Sequence, residues 1–169
     1  MVTLLDKTAR NVVQLLKARG KTLTTAESCT GGLISAEITS VPGSSEVFGF
    51  GLCTYANEAK MKLLGVNAST LETEGAVSLT TAMEMAVGAR ELSGADYAVS
   101  VTGIAGPDGG TAEKPVGTVC FGFSSSERTI TEKHLFTGGK FPEAKDRREA
   151  IRYETILTAL EIIIREIQK

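Results

Sequence analysis

Apolar positions recur at Leu5, Ala9, Val12 and Leu16, at spacings of four, three and four. That is one face of a helix over about residues 3–19, closed by Gly20. Thr22 to Ala26 is a short β-type run, and Thr30-Gly31-Gly32 opens a second helical pattern through Leu33, Ile34 and Ile38. After the loop Pro42-Gly43-Ser44-Ser45, Val47 to Tyr55 reads as a strand. Strict alternation puts Phe48, Phe50 and Leu52 on one face of that strand. Gly49, Gly51, Cys53 and Tyr55 fall on the other, where the glycines leave room for a close approach to the backbone. Helical patterns follow at about 57–64, 68–74 and 79–93. Asp96 to Thr102, Val116 to Ser124 and Thr129 to Phe136 are strand candidates, the last two joined as a hairpin. A last helix is expected from Pro142 to Ile167, with Tyr153, Leu157, Leu160, Ile164 and Ile167 as its stripe. Helices interleaved with about five strands predict an α/β layered domain. With no repeat, low-complexity tract or linker in view, residues 1–169 are read as one domain.

Composition narrows the chemistry more than the fold. The chain has 169 residues, 42% hydrophobic and 22% charged, and a formal net charge of -2 from 18 basic and 20 acidic side chains. No basic excess exists to grip a phosphodiester backbone, so no direct nucleic-acid contact is expected. There is a single histidine, His134, and three cysteines, Cys29, Cys53 and Cys120, with no CxxC pair. A multi-histidine metal site is therefore impossible, and no metal or cofactor is expected. The cysteines read as reduced thiols of a cytoplasmic protein. No apolar run is long enough to span a membrane, and the N-terminus meets a charge too early for a signal segment. No acidic partner of His134 is suggested by spacing, and the residue is expected to be dispensable for chemistry.

Three loops carry candidate chemistry. In Thr25-Ala26-Glu27-Ser28-Cys29-Thr30-Gly31-Gly32, a hydroxyl residue sits between a strand and a glycine-marked helix start, whose free N–H groups suit an oxyanion or phosphate. Ser28 or Thr30 also suits a simple N-cap, and Cys29 competes with Ser28 as nucleophile. In Thr54-Tyr55-Ala56-Asn57-Glu58-Ala59-Lys60, Asn57 as N-cap puts Lys60 at the third helical position, where the helix dipole disfavours its ammonium. Such a lysine can serve as a general base, although an exposed lysine at a poor position is the plainer reading. In the segment from Val101 to Gly110, four glycines and a proline follow a strand, as in a loop that presents backbone N–H groups or simply a tight connection. Arg147-Arg148 can pair with a phosphate or carboxylate, or stand as an exposed charge pair.

Taken together, these segments, with Gly75-Ala76-Val77-Ser78 and Lys114-Pro115-Val116-Gly117-Thr118-Val119, resemble the CinA C-terminal domain family over nearly the whole chain. The resemblance implies a three-layer α/β/α sandwich with a mixed, mostly parallel sheet. It implies hydrolysis of the carboxamide of nicotinamide mononucleotide to nicotinate mononucleotide and ammonia. Ser28 would be the nucleophile, Lys60 its base and Tyr55 a hydrogen-bonding assistant. Thr30, Gly31 and Gly32 at the helix start would hold the oxyanion. Thr102, Gly103, Ile104, Ala105 and Gly106 of the glycine loop, Ser45, and Arg147 or Arg148 would contact substrate. The segment from Thr137 to Asp146 is longer than expected for the family, which leaves the choice between the two arginines open. A homo-oligomer, with a dimer favoured, is expected. The competing functions are a nucleotide-sensing module without turnover and an interaction domain associated with competence or DNA damage.

Overall fold

A computed structural model describes residues 3–169. One sheet contains β1 (Leu23–Glu27), β2 (Phe48–Cys53), β3 (Tyr97–Gly103), β4 (Thr118–Ser124) and β5 (Thr129–Leu135), in the order β2-β1-β3-β4-β5. Strand β1 is parallel to β2 and β3, while β4 is antiparallel to β3 and β5. Four strands therefore share one direction and β4 opposes them. Helices α1 (Leu4–Arg19), α2 (Leu33–Thr39) and α6 (Arg147–Gln168) cover one face. Helices α3 (Asn57–Leu64), α4 (Ala68–Thr73) and α5 (Leu79–Ser93) belong to the other. This is the expected three-layer α/β/α sandwich.

Alternation along the strands divides the core. Leu23, Val99, Val101, Val119, Phe121 and Phe123 point into the larger cluster with α1, α2 and α6. Ala26 and Ala98 face Met85 and Ala89 of α5. That second layer lies hard on the sheet: the Ser100 hydroxyl donates to the Ala82 carbonyl at 2.5 Å, and a Cβ on Gly122 would stand 2.3 Å from the same oxygen. Helices α5 and α3 also touch backbone to backbone, since a Cβ on Gly88 would stand 1.8 Å from the Leu64 carbonyl oxygen. These contacts fix the height of α3, which carries Lys60.

Several local expectations change. Strict alternation fails in β2, because Leu23 pairs with Phe48 but Thr25 pairs with Gly51. Three steps along β2 match two along β1, so this bulge turns Phe48 into the α1–α2–α6 core while Leu52 packs on the opposite cluster. The space at Gly51 is taken by the chain itself: a Cβ there would stand 2.3 Å from both the Thr25 and Ser35 hydroxyl oxygens. Helix α6 does not start at Pro142. Asp146 caps it, accepting the Glu149 N–H at 2.8 Å, while Glu149 accepts the Lys145 N–H at 2.8 Å. The preceding loop is tied to the side of α6 by buried Glu154, whose carboxylate accepts the N–H groups of Gly138 and Lys140 at 3.0 and 2.9 Å. The apolar side of α6 is wider than the expected stripe, because the helix is buried between α1 and the sheet. His134 does have an acidic partner, Glu132 on the same face of β5, at 3.0 Å. Its ring is stacked on Phe136, 5.6 Å between centroids, remote from the loops described next.

Candidate active site

The C-terminal ends of β1, β2 and β3 meet around Ser28. Its N–H donates to the Val101 carbonyl at 3.0 Å, and the Thr54 N–H donates to the Glu27 carbonyl at 2.8 Å. Strand β1 lies between β2 and β3, and the helices that follow β1 and β2 lie on opposite faces. That is a switch point of an α/β sheet, where a crevice opens beyond the strand ends.

Lys60 is 1% exposed, and its Nζ lies 3.1 Å from Ser28 Oγ. The same nitrogen donates to the carbonyls of Thr54 at 2.8 Å and Tyr55 at 3.1 Å. Among the described residues no carboxylate pairs with it. Burial is the main force holding the Lys60 pKa below its ordinary 10.5, against a smaller opposing effect of Cys29 and Cys53. A neutral amine has two N–H bonds and one lone pair. With the two carbonyls taking the N–H bonds, the lone pair falls to Ser28 Oγ. Lys60 sits one place later than expected: Ala56 is the N-cap, without a side-chain hydrogen bond, and Lys60 is the fourth residue of α3. Burial more than the helix dipole is therefore what disfavours its charge.

The neighbouring thiol is a poor rival. Cys29 is 5% exposed within the larger apolar cluster, and burial pushes its pKa up to about 12. It remains a thiol at neutral pH, and among the described residues no base is hydrogen-bonded to it.

Glu27 is the group that motif reading passed over. Its side chain is fully buried, and its carboxylate takes a ring of donors. Oε2 accepts from the Thr30 hydroxyl at 2.7 Å and from the N–H groups of Gly32 and Ile34, each at 3.0 Å. Oε1 accepts from the N–H and hydroxyl of Ser35 at 2.8 and 2.7 Å, and from the Thr25 hydroxyl at 3.4 Å. The donors at the start of α2 are thus consumed by the protein. Gly31 N–H is also committed, to the Ser28 carbonyl at 3.1 Å. The expectation that Gly31 and Gly32 hold an oxyanion is corrected: their donors have acceptors already. Among the described residues, the Cys29 and Thr30 N–H groups have none.

A cleft of about 200 Å3 opens over this turn. Ser28, Tyr55, Lys60, Thr102, Gly103, Ala105 and Arg148 line it, together with Cys29, Ala76 and Val77. Tyr55 is 62% exposed at its mouth, with its hydroxyl 3.4 Å from Arg148 Nη2. Arg148 also donates to the Gly106 carbonyl, which ties α6 to the glycine loop. Arg147 turns away toward the Val116 carbonyl, 3.5 Å off, so Arg148 is the arginine of the cleft. The Thr102 hydroxyl donates to the Ala76 carbonyl at 2.7 Å and so anchors the loop that supplies Ala76 and Val77. Ile104 is occupied with β4, its N–H donating to Thr118 O at 2.9 Å, and the outer glycine loop at 107–113 is exposed. Ser45 stands in a 3-10 turn before β2, at the far end of that strand from Tyr55. The sequence offered one usable hint of Glu27, an acidic residue inside an otherwise buried strand. Arg152, one turn after Arg148, was also missed; it donates to the Thr30 carbonyl at 2.8 Å. Among the described residues no cluster of three or more His, Cys, Asp or Glu is disposed to hold a metal.

A larger cavity, about 290 Å3, lies at the opposite end of the sheet. Most of its charges are engaged in ion pairs, Lys21 with Asp96 and Arg128 and Lys169 with Glu166, and among the described residues no nucleophile–base pair lines it.

The sequence profile of the CinA C-terminal domain matches residues 5–167. The chain is 52% identical over 155 residues to the nicotinamide-nucleotide amidohydrolase PncC of Enterobacter agglomerans, covering 91% of this chain and 90% of that protein. It is 49% identical over 157 residues to a competence-damage inducible protein of Caldanaerobacter subterraneus, covering 93% of this chain but 36% of that longer protein. The chain thus spans about a third of the relatives of that longer kind. Among solved structures, the competence/damage inducible protein CihA from Agrobacterium tumefaciens superposes with a TM-score of 0.89 at 42% identity, over 98% of this chain and 96% of that one. A CinA superfamily protein from Klebsiella pneumoniae gives 0.90 at 32% identity, over 98% and 99%. By fold and by sequence, the chain belongs to the CinA C-terminal domain family.

Proposed function

We propose that this protein hydrolyses the carboxamide of nicotinamide mononucleotide, releasing nicotinate mononucleotide and ammonia, as one step of pyridine nucleotide recycling. The observation that carries the reading is the buried Lys60 Nζ, 3.1 Å from Ser28 Oγ and without a carboxylate partner among the described residues. The names of the amidohydrolase relatives supply the substrate class.

In this mechanism the Lys60 lone pair takes the Ser28 proton as Oγ bonds to the carboxamide carbon. The carbonyl oxygen becomes an oxyanion facing the Cys29 N–H, which has no acceptor among the described residues and borders the cleft. Donors aimed at developing charge are worth about 10²–10³ in rate each. Lys60 returns the proton to the leaving nitrogen, the C–N bond breaks, and ammonia departs. Water then adds to the Ser28 ester with Lys60 again as base, and cleavage restores the hydroxyl. Tyr55 steadies the proton transfers at the mouth, and Arg148 faces the nucleotide phosphate as it leaves the cleft.

Ammonia release from nicotinamide mononucleotide is the deciding measurement. Wild-type protein is expected to turn over and Ser28→Ala to be inactive while remaining folded. No ammonia from the wild type, or full turnover by Ser28→Ala, overturns the reading.

A further inference from the structure

We infer that Glu27 is a positioning residue for this hydrolysis, holding the turn Ser28–Thr30 so that the free Cys29 N–H at the cleft meets the oxyanion. The inference rests on the amidase reading above. Glu27 does not line the cleft, so it acts through its neighbours.

The geometry runs outward from one carboxylate. Helix α2 has only seven residues and no side-chain N-cap of its own; its capping residue is Gly32, at φ 97°. Its first donors would otherwise compete for any anion in the cleft or remain buried without partners. Glu27 absorbs them, with Oε2 on Gly32 and Ile34 and Oε1 on Ser35. The same Oε2 holds the Thr30 hydroxyl at 2.7 Å. Arg152 holds the Thr30 carbonyl at 2.8 Å from the other side. Thr30 is therefore fixed through both its side chain and its carbonyl, and the Ser28 carbonyl is fixed by Gly31 N–H at 3.1 Å. Among the described residues, what remains unbound on this turn is the N–H groups of Cys29 and Thr30, of which Cys29 borders the cleft. A turn clamped at its carbonyls and freed at its amides is what an oxyanion-binding turn requires. The glycine at position 51 belongs to the same device, because a side chain there would collide with the Thr25 and Ser35 hydroxyls that complete the ring.

Two substitutions test this, each measured well below its melting temperature. Glu27→Gln can keep the three Oε2 bonds through its amide oxygen, and its NH2 can donate to the Thr25 and Ser35 hydroxyls. It loses the acceptor for Ser35 N–H and the negative charge. Thr30→Val keeps shape and removes only the hydroxyl bond to Oε2. Each should lower kcat by about 10- to 10²-fold with KM within about threefold, the signature of a slightly misplaced transition-state contact. Because neither touches Lys60, the acid limb of the pH–rate profile should stay where the wild type has it. The double variant should cost little more than the worse single one, since both loosen the same turn. Wild-type kcat in both variants, or a displaced acid limb, overturns the inference while leaving the amidase reading intact. Absence of wild-type ammonia release overturns the amidase reading instead.

Discussion

Lys60 is a long cationic side chain kept 1% exposed with only neutral acceptors around it, and its pH behaviour follows from that. Its folded pKa lies below 10.5, so between the two values the unfolded chain binds a proton that the folded one does not. The unfolding free energy therefore rises with pH across that window and falls as pH drops through it. Relative to Lys60→Met, the wild type should gain stability as the pH of chemical denaturation is raised toward 10.5. Activity should follow the same group: kcat/KM should climb with unit slope on the acid side and level once Lys60 is neutral. Lys60→Ala should lose about 10²–10⁴ in rate, the range of a general base. A flat pH–rate profile would remove Lys60 from the chemistry. The thiols should behave oppositely to one another. Exposed Cys53 should alkylate at neutral pH, while buried Cys29, with its pKa near 12, stays protected in the folded protein. Mass mapping after mild alkylation reads this directly.

At the scale of elements, the site depends on how closely α5 packs. Gly88 lets α5 reach the Leu64 carbonyl at the C-terminal end of α3, and α3 carries Lys60. Gly88→Ala must push the two helices apart, at a cost of about 1–3 kcal/mol. It should also lower turnover, because displacing Lys60 lengthens its contact with Ser28. A melting temperature and kcat equal to wild type would show that the contact relaxes at no cost. The end of α6 offers a contrast without a catalytic readout. Asp146→Ala removes the N-cap and should cost about 0.5–2 kcal/mol of stability. Most elements are legible because their signals are local: apolar spacings of four, three and four predict α1, and helical and strand-like runs predict α5 and β3 to β5. The errors were also local in origin but settled elsewhere. The bulge in β2 comes from its partner β1, and the late start of α6 comes from Glu154 holding residues 138–140 in a loop.

Over the whole molecule, three strand ends, the α2 turn, the first turn of α3 and the start of α6 converge on one cleft. Binding there should stabilise the entire fold by linkage. Ser28→Ala cannot consume nicotinamide mononucleotide, so at about 100 times Kd the ligand should add about 2.7 kcal/mol. For a chain of this length that is roughly 5–10 °C in Tm. No shift up to high ligand concentration would show that the folded protein does not bind the nucleotide. Residue identity and order already determined the layered α/β class, the Ser28 and Lys60 pairing by resemblance, and the exclusion of multi-histidine metal chemistry. These are properties of spacing, composition and motif, which need no knowledge of what lies across the sheet. Only the tertiary structure decided that β1 runs between β2 and β3, that Arg148 and not Arg147 meets Tyr55, and that the α2 donors belong to Glu27. Each depends on groups far apart in the chain brought within 3 to 4 Å, as does the burial that lowers the Lys60 pKa. Neither distance nor desolvation is written in local sequence.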